Sequence, residues 1–431
     1  MKRLLCLLLC ALLCLGCFAG CAPKEGKEDD TSKSTDVQIP ETEAAGTETA
    51  DPGETSGPVQ TAVDLSNPKN LGFTDFDNKL IEYLKQAGRA GENFTVSPLS
   101  YKAALALAAI GAEGETQAQL LSAMGFRDRA ELDAWYQSVL DGVDRFDAYF
   151  EQGNFDDRGD AAYQVVNSIW KNEDLPGEFR EAYVKDALDH YRAEACSAPA
   201  LKLADAVNAW VNEKTKGLIP QLLSDASESS AVLVNALYLK AGWEHSFDQM
   251  GPDDFTTADG QTVQKEYMRA VGSYRYYADD SCRLVGVPLQ GGMTMLFVLG
   301  DDSDLAAKLA KAEYARLELQ VPKFDVETTL DQRELCDYLL TQDCGRLFTN
   351  DAEFDPMFTE SLRVDDIIQK AKVHIDEEGL EAAAATAMMM VATAAFDPEK
   401  PELFRLDQAF SFYIVNGGET PELLFWGQIV E

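Results

Sequence analysis

The segment from residue 377 to 398 limits the possible folds more than any other part of the chain. It begins Glu-Glu-Gly-Leu-Glu, runs on through alanines, threonines and three consecutive methionines, and ends at a proline. Between Glu381 and Asp397 it carries no charge. Ala and Met favour helix, so the window taken alone fits a buried helix. The alternative is an exposed loop made of side chains small enough to enter a sheet. Every second residue from Leu380 gives Leu380, Ala382, Ala384, Thr386, Met388 and Met390, none of them charged. That face can be buried as a strand while the face holding Glu381 meets solvent.

From Phe73 onward apolar residues recur with regular periods. Ile81 and Leu84, residues 101–110, the stretch after Thr116, and residues 202–215 and 303–317 have helical spacing. Strand-like runs cover 165–170, 232–239, 284–289, 293–299, 317–324, 364–375, 410–415 and 423–429. Several are almost continuously apolar, as expected of strands covered on both faces. Early helices followed by many strands predict an α+β domain with large sheets. No internal repeat or linker interrupts the chain after residue 70, so one domain over residues 71–431 is expected.

Residues 1–20 have a different purpose. Lys2 and Arg3 precede an apolar run over residues 4 to 19, too short for a comfortable membrane span and suited to an export signal. The run ends Phe18-Ala19-Gly20-Cys21, which resembles the bacterial lipoprotein signal, in which that cysteine is acylated. An ordinary cleaved signal is the alternative. Residues 21–70 are rich in Thr, Ser, Glu, Asp, Gly and Pro and cannot bury enough apolar surface to offset chain entropy. They read as an acidic tether, with an end-to-end distance of roughly 35–40 Å.

The 431 residues include 74 acidic and 37 basic side chains, a net charge of −37. Such a surface repels phosphate backbones, and no basic stripe offsets it, so no nucleic-acid partner is expected. Three histidines, His190, His245 and His374, lie far apart, and no HExxH, paired CxxC or P-loop run occurs. Neither a metal nor a cofactor is expected. Beyond Cys21 there are four cysteines, Cys196, Cys282, Cys336 and Cys344, too few for a disulfide framework in a domain this size. Pairing and burial as thiols both remain open. Arg158-Gly159-Asp160 stands among aspartates and reads as a solvated loop. Trp170, Trp210 and Trp243 sit on patterned elements and are expected in the core.

Residues 377–386, Glu-Glu-Gly-Leu-Glu-Ala-Ala-Ala-Ala-Thr, resemble the hinge of the reactive-centre loop of serpins. Other segments match in order. These are Asn93-Phe94-Thr95-Val96-Ser97-Pro98-Leu99-Ser100, Gly111-Ala112-Glu113-Gly114-Glu115-Thr116, and Asn208-Ala209-Trp210-Val211-Asn212 with Thr215. Asn235-Ala236-Leu237-Tyr238-Leu239-Lys240 with Trp243 and Phe247, then Val321-Pro322-Lys323-Phe324, and residues 410–427 complete the set. The likeness spans about residues 72 to 431.

This resemblance implies a serpin fold, with helices around large, mostly antiparallel sheets and an exposed loop at about 377–398. It also implies an inhibitor, not an enzyme. A target serine protease cleaves the loop, which then inserts into the central sheet while the acyl-enzyme persists. Gly379 and the short side chains of Ala382, Ala383, Ala384 and Ala385, with Glu377, Leu380 and Glu381, form the implied hinge. New ladder bonds contribute roughly 1 kcal/mol each. Ordering costs roughly 1–2 kcal/mol per residue. The two nearly cancel, so the drive must lie in strain of the uninserted sheet.

Leu380 is bulkier than the usual hinge residue. Gln369 replaces a common histidine in the region that opens the sheet, which also holds Ser97 and Asn235. Taking Glu377 as the seventeenth residue before the cut places the reactive bond at Thr393-Ala394. No Lys or Arg lies between Val373 and Glu399, which disfavours trypsin-like pockets and favours elastase-like or subtilisin-like proteases. The expected protein is a monomeric inhibitor, exported and lipid-anchored through Cys21 on the outer side of a bacterial membrane. The alternatives are a non-inhibitory serpin used as a binding or structural surface protein, and a solute-binding lipoprotein of another class.

Overall fold

The computed structural model describes residues 74–151, 161–330, 332–380, 400–417 and 422–431. The described helices are α1 (Asp75–Gln86), α2 (Pro98–Ile110), α3 (Gly114–Met124), α4 (Arg129–Glu151), α5 (Glu181–Tyr191), α6 (Leu203–Lys214), α7 (Leu305–Ala310) and α8 (Gln332–Thr341). The strands begin with β1 (Phe94–Val96), β2 (Ala162–Asn172), β3 (Glu194–Ala198), β4 (Ala231–Gly242) and β5 (Asp248–Thr256). They continue with β6 (Thr262–Ala278), β7 (Cys282–Leu289), β8 (Met293–Gly300), β9 (Glu313–Pro322) and β10 (Phe324–Leu330). The last five are β11 (Asp366–Ile375), β12 (Gly379–Leu380), β13 (Glu402–Arg405), β14 (Phe410–Val415) and β15 (Leu423–Ile429).

Two sheets result. One runs β1-β15-β14-β8-β7-β6-β9-β13, with β5 on β6, and the other runs β10-β11-β12-β4-β2-β3. The expected α+β architecture is therefore present. β4 is buried along almost its whole length because it is covered twice. Leu233 and Ile169 pack into the core under α2. Val232, Val234 and Ala236, with Trp170 of β2, pack in one cluster with Leu203, Val207, Trp210 and Val211 of α6. Trp243, like Trp170 and Trp210, is buried.

α2 is buried on every side, as an apolar helix must be. Ser97 caps it, its Oγ accepting from Ser100 N at 3.2 Å, and Pro98 opens it. Its one charge, Lys102, is stacked on Phe126 and Trp135, each 4.8 Å from Nζ to ring centroid. Two buried carboxyls lie near it. Burial pushes Asp77 up to about 6 against the pull of Lys102. Burial likewise pushes Glu422 up to about 8, although Lys102 draws it down and Trp135 Nε1 donates to it at 3.0 Å.

Two expectations need correction. Residues 303–317 are not one helix. Only Leu305–Ala310 is helical, and β9 begins at Glu313, paired along its length with β6. Residues 317–324 are not one strand either, because Lys323 separates β9 from β10 and each belongs to a different sheet. The four cysteines of the folded part are all free thiols, three of them buried. The signal, Cys21, the tether and Arg158-Gly159-Asp160 lie outside the described residues.

Candidate hinge and sheet-opening site

β4 and β11 are the central strands of the six-stranded sheet. They pair directly, in parallel, only where Asp366, Ile367, Ile368 and Gln369 meet Val232, Leu233, Val234 and Asn235. Beyond that no pairing joins 370–374 to 236–240 among the described residues. At the far end β12 lies between them, with Leu380 antiparallel to Ile375 on one side and to Ala241 on the other. The described end of the 377–398 segment thus occupies a strand position.

A tight turn delivers it there. Asp376 Oδ1 accepts from Glu378 N at 2.9 Å and Gly379 N at 3.2 Å, while Asp376 N donates to Gly379 O at 3.2 Å. Gly379 has φ +139°, and a Cβ there would come within 2.5 Å of the Ala241 carbonyl oxygen. Backbone contacts secure the turn, with Trp243 N donating to Glu378 O and Phe247 N to Glu377 O, each at 2.9 Å. The Trp243 indole donates to Asp376 O at 2.9 Å. Glu377 Oε1 pairs with Lys323 Nζ at 2.5 Å. Burial acts to raise the Glu377 carboxyl, but the Lys323 hydrogen bond and charge overcome it and hold the group below its usual range.

Leu380 is 2 % exposed and packs in one core cluster with Ala241, Leu239, Ile375 and Val373. Full burial of a leucine contributes roughly 1.5–3 kcal/mol. The side chain expected to hinder the first step of insertion is already seated.

The other end of the site is polar. Asn167, Asn235 and Gln369 lie in one row across β2, β4 and β11. Gln369 Oε1 accepts from Ser97 N at 3.0 Å, and its Nε2 donates to Ser97 O at 2.8 Å. Asn235 Nδ2 donates instead to Asn167 Oδ1, and Asn167 Nδ2 to the Tyr136 hydroxyl at 2.8 Å. Asn235 and Gln369 are therefore backbone neighbours whose side chains bond elsewhere. Asn235 Oδ1 is buried without a hydrogen-bond partner among the described residues.

Ser97, Asn235, Gln369, Glu377, Gly379 and Leu380 thus line one seam of the sheet. Glu381, Ala382, Ala383, Ala384, Ala385 and the Thr393-Ala394 bond lie outside the described residues. Asp376, Trp243 and Asn167 were not singled out as site residues. The Asp-x-x-Gly spacing before the hinge was the available signal for the first. No group of three or more His, Cys, Asp or Glu that could hold a metal occurs among the described residues.

The family model "Serpin (serine protease inhibitor)" matches residues 72–431. The chain belongs to the serpin family. Similar curated serpins include Antichymotrypsin-2 of Bombyx mori, 29% identical over 83% of this chain and 97% of its own length. Leukocyte elastase inhibitor of Bos taurus is 28% identical with the same coverage. Among solved serpins, Serpin48 of the insect Tenebrio molitor, titled "a highly specific serpin", matches with a TM-score of 0.67 at 25% identity, covering 83% of this chain and 96% of its own. Membership of this family removes the reading as a lipoprotein of unrelated class.

Proposed function

We propose that this serpin inhibits extracellular elastase-like serine proteases by loop cleavage and insertion. The observation that carries the reading is the place of Gly379 and Leu380 between β11 and β4, with 370–374 and 236–240 unpaired to each other below them. Continued in the same register, Ala382 would lie opposite Val373 and Leu239, and Ala384 opposite Ala371 and Leu237. These four partners are all buried and apolar. Small uncharged side chains suit that row, whereas a charge there costs several kcal/mol. Thr386 would arrive opposite Gln369 and Asn235, where the direct pairing of the two strands must part. The nucleophile belongs to the protease, so this chain contributes bait, hinge and sheet.

The reactive bond is assigned to Thr393-Ala394, and its small residues suit a shallow specificity pocket. The relatives named an elastase inhibitor and an antitrypsin support an inhibitory role for this chain at about 28% identity. Incubation with an elastase should give a denaturant-resistant covalent complex, and mass spectrometry of the released peptide should place the cut. Quantitative cleavage with no complex would overturn the inhibitory reading.

One feature favours a second reading, a non-inhibitory binding or structural protein: bulky Leu380 is already docked. Heat stability before and after loop cleavage separates the two, because only an inserting chain gains markedly. We further infer export and lipid anchoring at Cys21 on the outer side of a bacterial membrane, from the Lys2-Arg3 and apolar pattern. Cys21→Ser should then release the protein into the medium.

A further inference from the structure

β11 sends alternate residues to the two faces of its sheet. Ala371, Val373 and Ile375 enter the core, so Lys370, Lys372 and His374 lie on the other face. This charged row ends where the hinge begins. Asp376 comes next, and its Oδ1 accepts from Glu378 N and Gly379 N. Its other oxygen, Oδ2, lies 3.7 Å from His374 Nε2. Among the described residues Asp376 has no other cation within ion-pair distance.

His374 meets a second carboxylate on its other side. Asp325 of β10 is its cross-strand neighbour, with Oδ2 3.7 Å from Nδ1. The same Asp325 oxygen lies 3.9 Å from Lys372 Nζ. The remaining charges nearby are spoken for or lie further off. Glu327 of β10 pairs with Lys370 at 2.6 Å, and Glu377 pairs with Lys323. Glu378 follows in the turn, and Lys240 lies across the seam, next to Ala241 on β4. Of these side-chain types, imidazole is the one that changes charge between pH 5 and 8.

Two carboxylates thus flank one imidazole. A neutral ring has a single N–H and can serve only one of them, whereas an imidazolium has an N–H toward each. At 3.7 Å neither contact is a hydrogen bond, so charge couples the groups. Protonated His374 holds Asp376 Oδ2 by attraction and keeps Oδ1 on the two amides. The neutral ring leaves Asp376 without a cation. The His374 side chain is 38% exposed, so the effect is that of a partly solvated ion pair, roughly a two- to fivefold change in an equilibrium. A base that gains carboxylate partners in its charged form stabilises the arrangement at low pH, and the gain is lost as pH rises through its titration.

We propose that His374 is a positioning residue for the hinge, acting through Asp376, and that its protonation holds residues 378–380 in their docked place and biases a cleaved loop toward insertion. Gly379 pairs with Gly242, and Leu380 with both Ile375 and Ala241, so a firmly held turn gives insertion its first rungs. The bias toward insertion rests on the inhibitory reading, whereas the hold on the turn does not.

The full chain is compared with His374→Gln, neutral at every pH, with His374→Lys, which stays charged, and with Asp376→Asn, which keeps an acceptor for the two amides but no charge. Hydrogen exchange of the Glu378 and Gly379 amides is read at about pH 6 and about pH 8, as protection relative to unfolded-chain rates. Wild type should be protected roughly two- to fivefold more at the lower pH. The Gln and Asn variants should show no such difference, and His374→Lys should keep the higher protection at both. Equal protection of wild type at both pH values, a difference that survives in His374→Gln or Asp376→Asn, or a Lys variant that matches Gln overturns the positioning role. No protease enters this arm.

The stoichiometry of inhibition of an elastase at the same two pH values tests the bias. His374→Gln should consume more inhibitor per protease than wild type at about pH 6 and the same amount at about pH 8. The protease's own pH dependence cancels in that comparison. Equal stoichiometry at the lower pH overturns the bias while inhibition stands. Absence of covalent complex with any of the four proteins, beside amide exchange that follows pH as expected, overturns the inhibitory reading and the bias with it, and leaves the positioning role in place.

Discussion

Gln369 holds the backbone of Ser97 from both sides, its carbonyl oxygen accepting from Ser97 N at 3.0 Å and its amide donating to Ser97 O at 2.8 Å. The clasp ties β11 to the start of α2 at the last rung that β11 shares with β4. Gln369→Leu keeps the apolar volume but strands buried backbone groups. It should lower unfolding free energy by about 1–3 kcal/mol, measured by urea titration.

Gly379 allows the hinge to lie between two strands. Gly379→Ala places a Cβ against the Ala241 carbonyl in a backbone conformation that side chains avoid. A cost of about 1–3 kcal/mol is expected, enough to unseat residues 379–380. Trp243 donates to Asp376 O and Glu378 O, so its fluorescence should report the change. An unaltered spectrum and melting temperature would contradict this account of the turn.

If the loop inserts in the register of Leu380, Ala384 would come against Ala371 and Leu237. Ala384→Arg should convert inhibitor into substrate, giving cleaved chain in place of covalent complex on a denaturing gel. Undiminished complex formation would count heavily against insertion.

Glu422 and Asp77 make stability depend on pH. A carboxyl whose folded value is raised binds its proton more tightly in the folded state. Its burial costs nothing below the unfolded value, and the cost grows as pH climbs toward the folded value. For Glu422 that window runs from about 4.5 to about 8, and for Asp77 from about 3.8 to about 6. Stability should fall across pH 5 to 8, by at most a few kcal/mol from Glu422. Glu422→Gln should flatten the slope above pH 6, as read from denaturant midpoints. An unchanged slope would show that Glu422 is not the titrating group.

The strands at 410–415 and 423–429 were legible because apolar runs bounded by turn residues leave little choice. The β9 region misled because Leu305 and Leu309 start a helical spacing that stops at Ala310. The residues that follow obey their partners on β6 instead. β6 itself has a polar and exposed outer face, so it lacks the apolar run that marked other strands. At the site, Glu377, Gly379 and Leu380 could be read from spacing and family likeness. The Lys323–Glu377 pair could not, because nothing local announces a contact between residues so far apart in the chain. The same holds for the orientation of Gln369, whose side chain chose a helix cap over the neighbouring asparagine.

The seam between β4 and β11 runs parallel, while the neighbouring pairs β10–β11 and β4–β2 run antiparallel. A strand arriving from residue 380 would be antiparallel to both sides. It would exchange four slanted rungs for two full antiparallel ladders, the slightly stronger arrangement per residue. The closed seam is thus a parallel join at the centre of the sheet, and a tail freed by cutting would find there a stronger ladder than the one it displaces.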